Sequence, residues 1–206
     1  MGNFAVKMKH QGKYILQRWL LILVAVILVG ATADGRRRSR RHRHKPLPDP
    51  ATIPSVVIDK RTMRLSLLSP AGDTIMITGV ATGMKPGQKM MPGDMRTPNG
   101  RFSVVKVVDS SKWKHDFGDG LGEIKGAYGP RFVRLLTPGH SGIGIHGTHL
   151  PASIGTRASE GCIRVDNDSL MRLVKYLQPG TAVTVIPALA DTLADLYDRT
   201  DIYIEP

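Results

Sequence analysis

From residue 55 to residue 186 the apolar residues come in runs of about five to eight, with glycine, proline or a polar cluster between them. Runs of that length suit strands and leave little room for long helices. Ser55-Val56-Val57-Ile58-Asp59 and Arg64-Leu65-Ser66-Leu67-Leu68 are split by Lys60-Arg61-Thr62-Met63, a hairpin spacing. Pro70-Ala71-Gly72-Asp73 reads as a turn before a strand over 74–80. Residues 86–98 hold three prolines, two glycines and three methionines and read as a loop. Strands are expected over 101–108, 132–136 and 142–146, the last ending on His146. Residues 109–130 are polar and glycine-rich with Trp113, Phe117 and Tyr128, which suggests a long ordered loop over a groove. One helix follows, with Asp166 or Asn167 as its cap and Leu170, Leu173, Val174 and Leu177 on one face. Gln178-Pro179-Gly180 stops it, and 181–186 is the closing strand. The expectation is a mostly β single domain over 53–187. In the C-terminal extension, 188–206, residues 190–198 form a short docked helix of no assigned function.

Composition divides the chain near residue 50. Residues 1–50 carry 11 Lys and Arg against two acids and the remainder 18 against 15, so the formal charge of +12 is mostly a property of the N-terminal part. Lys7, Lys9, Lys13 and Arg18 precede an apolar run over 19–31 that ends in Ala31-Thr32-Ala33, the order of a secretory signal. Thirteen apolar residues fall short of the roughly 20 that a bilayer core needs, and a longer run must take in Gln17 and Arg18. Residues 1–33 therefore read either as a signal cleaved after Ala33 or as a retained anchor helix in contact with the membrane. Both deliver the domain outside the cytoplasm, to periplasm or cell wall. The basic run from Arg36 to Lys45 opposes that orientation, because positive charge resists translocation. Residues 34–52 read as a basic, proline-containing linker: a solvated spacer, or a tether to anionic headgroups or wall polymers. The basic run has no aromatic for stacking and no reading helix, which argues against nucleic acid as a partner.

Cys162 is the only cysteine, so it cannot close an internal disulfide. His146 lies sixteen residues upstream. A free thiol titrates near ~8.5 and needs a base or positive potential to act as a nucleophile. His146 has the range to take that proton and return it to a leaving amine, once a third group orients its ring. A backbone carbonyl at Gly147 or Thr148 could do so. Gly161 allows close approach of a substrate, and the N–H groups around Gly161 and Cys162 could stabilise an oxyanion. His140, His146 and His149 with Cys162 lack a familiar metal-ligand spacing, so no metal site is expected. His115 and Asp116 read as part of a polar loop that could line a groove. Met84, Met90, Met91 and Met95 read as filling for loose packing.

These motifs together resemble the L,D-transpeptidase family of bacterial cell-wall enzymes, the YkuD domain, from about residue 55 to residue 186. The family signature is His-Gly, then Ser-His-Gly-Cys followed by an apolar residue and Asn or Arg. It stands here as His146-Gly147 and Ser159-Glu160-Gly161-Cys162-Ile163-Arg164. Val57-Ile58-Asp59-Lys60 with Arg64-Leu65, the segment Arg96-Thr97-Pro98-Asn99-Gly100-Arg101-Phe102, and Tyr128-Gly129-Pro130 also match. The resemblance implies a β-sandwich with the cysteine in a groove and a helix after it. It implies that Cys162 attacks an L-centre–D-centre bond in a peptidoglycan tetrapeptide stem and releases D-alanine. The thioester then passes to an amine of a second stem, to another amine, or to water. His146 is the implied base, Gly147 orients it through its carbonyl, and Gly161 with Cys162 lines the oxyanion hole. Arg164, Ser159, Glu160 and Tyr128 are the implied substrate contacts, and no cofactor is required. One residue departs from the pattern: Glu160 stands where the family has histidine. A carboxylate beside the thiol raises its pKa unless Arg164 or Arg157 neutralises it. A wall-binding module without turnover is the other function class. Sortase-like transpeptidation also uses Cys, His and Arg, but the sixteen-residue spacing fits it poorly.

Overall fold

Alternation along the strands explains most of the architecture. Val56 and Ile58, Leu65 and Leu67, and Val183 and Val185 are buried, while the residues between them are partly exposed. Such a pattern turns every second side chain toward one core. The computed structural model describes residues 49–118, 120 and 122–200. The expected signal or anchor over 1–33, most of the linker and the last six residues lie outside the described residues. The strands are β1 (Ser55–Asp59), β2 (Arg64–Leu68), β3 (Thr74–Gly83), β4 (Gly100–Asp109), β5 (Lys114–Asp116) and β6 (Glu123–Lys125). They continue with β7 (Arg131–Leu136), β8 (Gly144–His146), β9 (Arg157–Ser159), β10 (Ile163–Val165) and β11 (Ala182–Ile186). The helices are α1 (Asn167–Leu173) and α2 (Leu189–Thr200).

β1 and β2 form the expected hairpin, with Asp59 opposite Arg64. Met63 takes the left-handed conformation that closes its turn. The main sheet runs β10-β8-β7-β4-β11-β1-β2-β3, and a further β3–β10 pairing joins its two ends. β9 attaches parallel to the last residues of β3. The sheet thus folds over on itself, and its halves face each other across one apolar core. α1 seals that core with Leu170 and Leu173, both fully buried. Asp166 is its cap: the carboxylate accepts from the N–H groups of Asp168 and Ser169. The helix is shorter than its apolar face suggests, because the bonds from Lys175 to Leu177 reach back only three residues.

Two parts of the sequence reading change. The expected loop over 109–130 contains the two-stranded ribbon β5–β6, in which His115 lies opposite Ile124. The strand expected over 142–146 begins only at Gly144, and the cysteine motif runs from the end of β9 into β10, each three residues long.

Candidate active site

The motif residues gather because of pairing and the two-residue period of a strand. β8 and β10 run parallel, with Ile163 beside Ile145 and Arg164 beside His146. Ile145, Ile163 and Val165 face the core and are fully buried. Gly144, His146, Cys162 and Arg164 therefore share the opposite face. A groove of about 530 Å³ lies over that face, lined among others by His115, Tyr128, His146, Glu160, Cys162 and Arg164.

His146 is buried, and its ring lies parallel to that of Phe132, centroids 5.5 Å apart, with Tyr128 edge-on at 4.9 Å. Gly144 makes that stacking possible: a Cβ there would fall 2.3 Å from the Phe132 ring. The Nδ1–H of His146 donates to the Gly147 carbonyl at 2.6 Å. A carbonyl can only accept, so the proton is held on Nδ1 and Nε2 is left as the base. Gly147 is itself locked in place. Asn167, the first residue of α1, accepts from the Thr148 N–H and donates to the Thr148 carbonyl. Side chains at Gly147 or Gly129 would collide with Asn167 Oδ1, at 2.1 Å and 2.4 Å. Asn167 was legible only as a possible cap, yet it positions the segment that orients the base.

Burial pushes the His146 imidazole down to about 3, against the favourable bond to Gly147, and the charge of Arg164 adds to the fall. Burial pushes the Cys162 thiol up to about 11; the Gly144 backbone and Arg164 pull against it, while Glu160 adds to it. The thiol is half-buried, and its S–H donates to the Gly142 carbonyl at 3.3 Å. Both groups are thus uncharged at neutral pH, a thiol and an imidazole rather than an ion pair. Of the two arginines that could offset Glu160, only Arg164 acts on the thiol, since Arg157 is paired with Asp191 at 2.9 Å.

The turn that presents Cys162 is held from both sides. The Ser159 hydroxyl accepts from the Gly161 N–H at 3.2 Å and donates to the Cys162 carbonyl at 2.5 Å. Ser159, expected to contact substrate, lines the groove, and its hydroxyl is engaged within the turn. The Gly161 N–H, expected in an oxyanion hole, is engaged with that hydroxyl. Gly161 has φ of 131°, and a Cβ there would meet the Arg96 carbonyl at 2.8 Å. Beside it, Thr97 donates to the Gly161 carbonyl at 2.9 Å. Lys60 in turn donates to the Thr97 carbonyl at 3.0 Å and pairs with Asp191 of α2 at 3.2 Å, both side chains fully buried.

Across the groove, Glu160 Oε2 meets His115 Nε2 at 2.9 Å, and Tyr128 OH meets His115 Nδ1 at 3.2 Å. His115 comes from β5, in the segment read as a polar loop. No sequence pattern ties it to Glu160, 45 positions away. Phe117 packs edge-on against His115, with centroids 4.5 Å apart. The Arg164 guanidinium lies 5.1 Å from the Phe117 centroid, and its buried Nε has no hydrogen-bond partner among the described residues.

The chain is similar to known proteins. Residues 54–185 match the model of the YkuD family, described as the L,D-transpeptidase catalytic domain. Two Bacillus subtilis proteins named among the L,D-transpeptidases, YqjB and YkuD, are similar to the chain. YqjB is 31% identical over 134 residues, covering 64% of this chain and 70% of its own length. YkuD is 32% identical over 143 residues, covering 68% and 70%. The solved Enterococcus faecium L,D-transpeptidase C442S mutant shares the fold, with a TM-score of 0.50 at 19% identity. That match covers 65% of this chain, which spans half the length of the solved protein.

Proposed function

The chain belongs to the L,D-transpeptidase (YkuD) catalytic-domain family, and from that premise we propose that it is an exported cysteine acyltransferase acting on peptidoglycan stem peptides. The observation that carries the reading is a pair set by adjacent strands: His146, at the end of β8, with its proton fixed on Nδ1, and Cys162, the residue before β10, opening into the same groove. In the first half-reaction His146 Nε2 takes the thiol proton as Sγ attacks the carbonyl of the L-centre–D-centre bond. The Cys162 N–H is the first donor to the resulting oxyanion, and the Gly161 N–H joins it on leaving the Ser159 hydroxyl. The tetrahedral centre collapses, the C–N bond breaks, and the protonated His146 gives its proton to departing D-alanine. An amine of a second stem then attacks the thioester, forming a cross-link and returning the thiolate. Arg164, whose Nε has no partner among the described residues, Tyr128 and Glu160 hold the stem in the groove. The basic residues ahead of the apolar run over 19–31 support export, with residues 1–33 as signal or membrane anchor.

The test incubates the full-length chain, and Cys162→Ala, with disaccharide-tetrapeptide, and follows products by mass spectrometry. The expected result is D-alanine release and a cross-linked dimer, both lost in the variant. Release without a dimer marks an L,D-carboxypeptidase that uses water. No cysteine-dependent product marks a binding module that keeps the groove without turnover.

A further inference from the structure

Glu160 is the one acid among the described residues that line the groove, beside the cations Lys89, Lys114, Arg134 and Arg164 and the histidines His115 and His146. It stands two residues before the nucleophile and more than a third exposed. Only Oε2 is engaged, by His115; Oε1 takes no hydrogen bond from the described residues. Resting on the acyl-transfer reading above, we propose that Glu160, held in place by His115, forms the acceptor subsite, where the carboxylate holds the ammonium of the incoming primary amine and takes up its first proton.

The chemistry calls for such a group. An amine in water is mostly a cation, and it attacks a thioester only after losing a proton. A basic groove repels that cation and favours water as the acceptor. A carboxylate with a free oxygen reverses this at one point, through a charge-assisted hydrogen bond. His115 fixes that carboxylate: an ionised carboxylate only accepts, so Nε2–H donates to Glu160 Oε2, and Nδ1 accepts from the Tyr128 hydroxyl. The balance closes. The ammonium gives one proton to the Glu160 carboxylate, and the neutral amine forms the C–N bond at the thioester carbonyl. The C–S bond breaks, and the second amine proton passes to His146 and on to the Cys162 thiolate.

A structural clamp between β5 and the cysteine turn makes a different forecast, and competition between acceptors separates the two. The full-length chain is acylated with disaccharide-tetrapeptide in the presence of two nucleophiles, a stem with a primary ammonium and hydroxylamine, which is uncharged at neutral pH. The ratio of cross-link to hydroxamate is read by mass spectrometry, so that losses of folding or acylation cancel. Glu160→Gln is expected to lower that ratio by about tenfold or more, the scale of one charged hydrogen bond. Glu160→Asp is expected to keep most of the preference, and His115→Gln to lose part of it. A ratio unchanged in Glu160→Gln overturns the proposal. If that variant makes neither product, an unchanged ratio in His115→Gln overturns it. A wild-type chain that yields neither D-alanine nor hydroxamate overturns the acyl-transfer reading, and this proposal with it.

Discussion

His146 shows how one buried ring couples stability to acid. Its folded value lies near 3 against an ordinary 6.5, because burial disfavours the cation. Between those values the unfolded chain binds a proton that the folded chain does not. Stability therefore falls as the pH drops from about 6.5 toward 3, by up to roughly 1.4 kcal/mol per pH unit from this group. Urea unfolding at several pH values measures the slope, and His146→Gln should flatten it in that window; an equal slope in both proteins counts against the assignment. The Cys162 thiol works at the other end. Raised to about 11, it holds its proton in the fold where an unfolded thiol has lost it, so stability falls as the pH climbs from about 9. The resting pair is consequently neutral, a thiol beside an imidazole.

At the scale of elements, β8 and β10 place the chemistry although each is only three residues long. Gly144→Ala tests that placement. The added methyl meets the Phe132 ring, which must turn off its stack against His146. Overpacking of this kind costs about 1–3 kcal/mol, and D-alanine release should fall at least roughly tenfold, as for misaligned catalytic groups. Denaturant unfolding and a release assay check both. Elements with strong alternation, such as β1, β2 and β11, were legible from the sequence almost to the residue, since their burial depends on their own pattern. The ribbon β5–β6 was not. Lys-His-Asp and Glu-Ile-Lys have no apolar alternation to read, and their pairing rests on the aromatic contacts of Phe117 and Tyr128 with His115. β10 was hidden differently: Ile163-Arg164-Val165 does alternate, but three residues are too few to separate from a loop. The motif thus indicated Cys162 and His146, while His115 and the clamp by Asn167 depended on contacts between distant segments.

Across the whole molecule, α2 reaches the site without touching it. Asp191 is fully buried and takes bonds from the N–H groups of Gly87 and Ala188, with Lys60 and Arg157 as its charged partners. Burial works to raise its carboxyl, yet those N–H groups and Lys60 hold it below the usual range. Asp191→Asn leaves two cations short of their partner, which typically costs about 3–5 kcal/mol when the site is buried. The loss should show in urea unfolding. D-Alanine release should also fall, since Lys60 supports Thr97 and Thr97 supports Gly161; a change under about 1 kcal/mol with full activity would contradict that linkage. The closure of the sheet has a consequence for recognition. β10 is paired on both sides, with β8 at Ile163 and Arg164 and with β3 at Arg164 and Val165. The strand beside the nucleophile thus has no vacant edge, and a peptide cannot dock there as an added strand. A guest in the groove therefore meets side chains rather than an open strand edge.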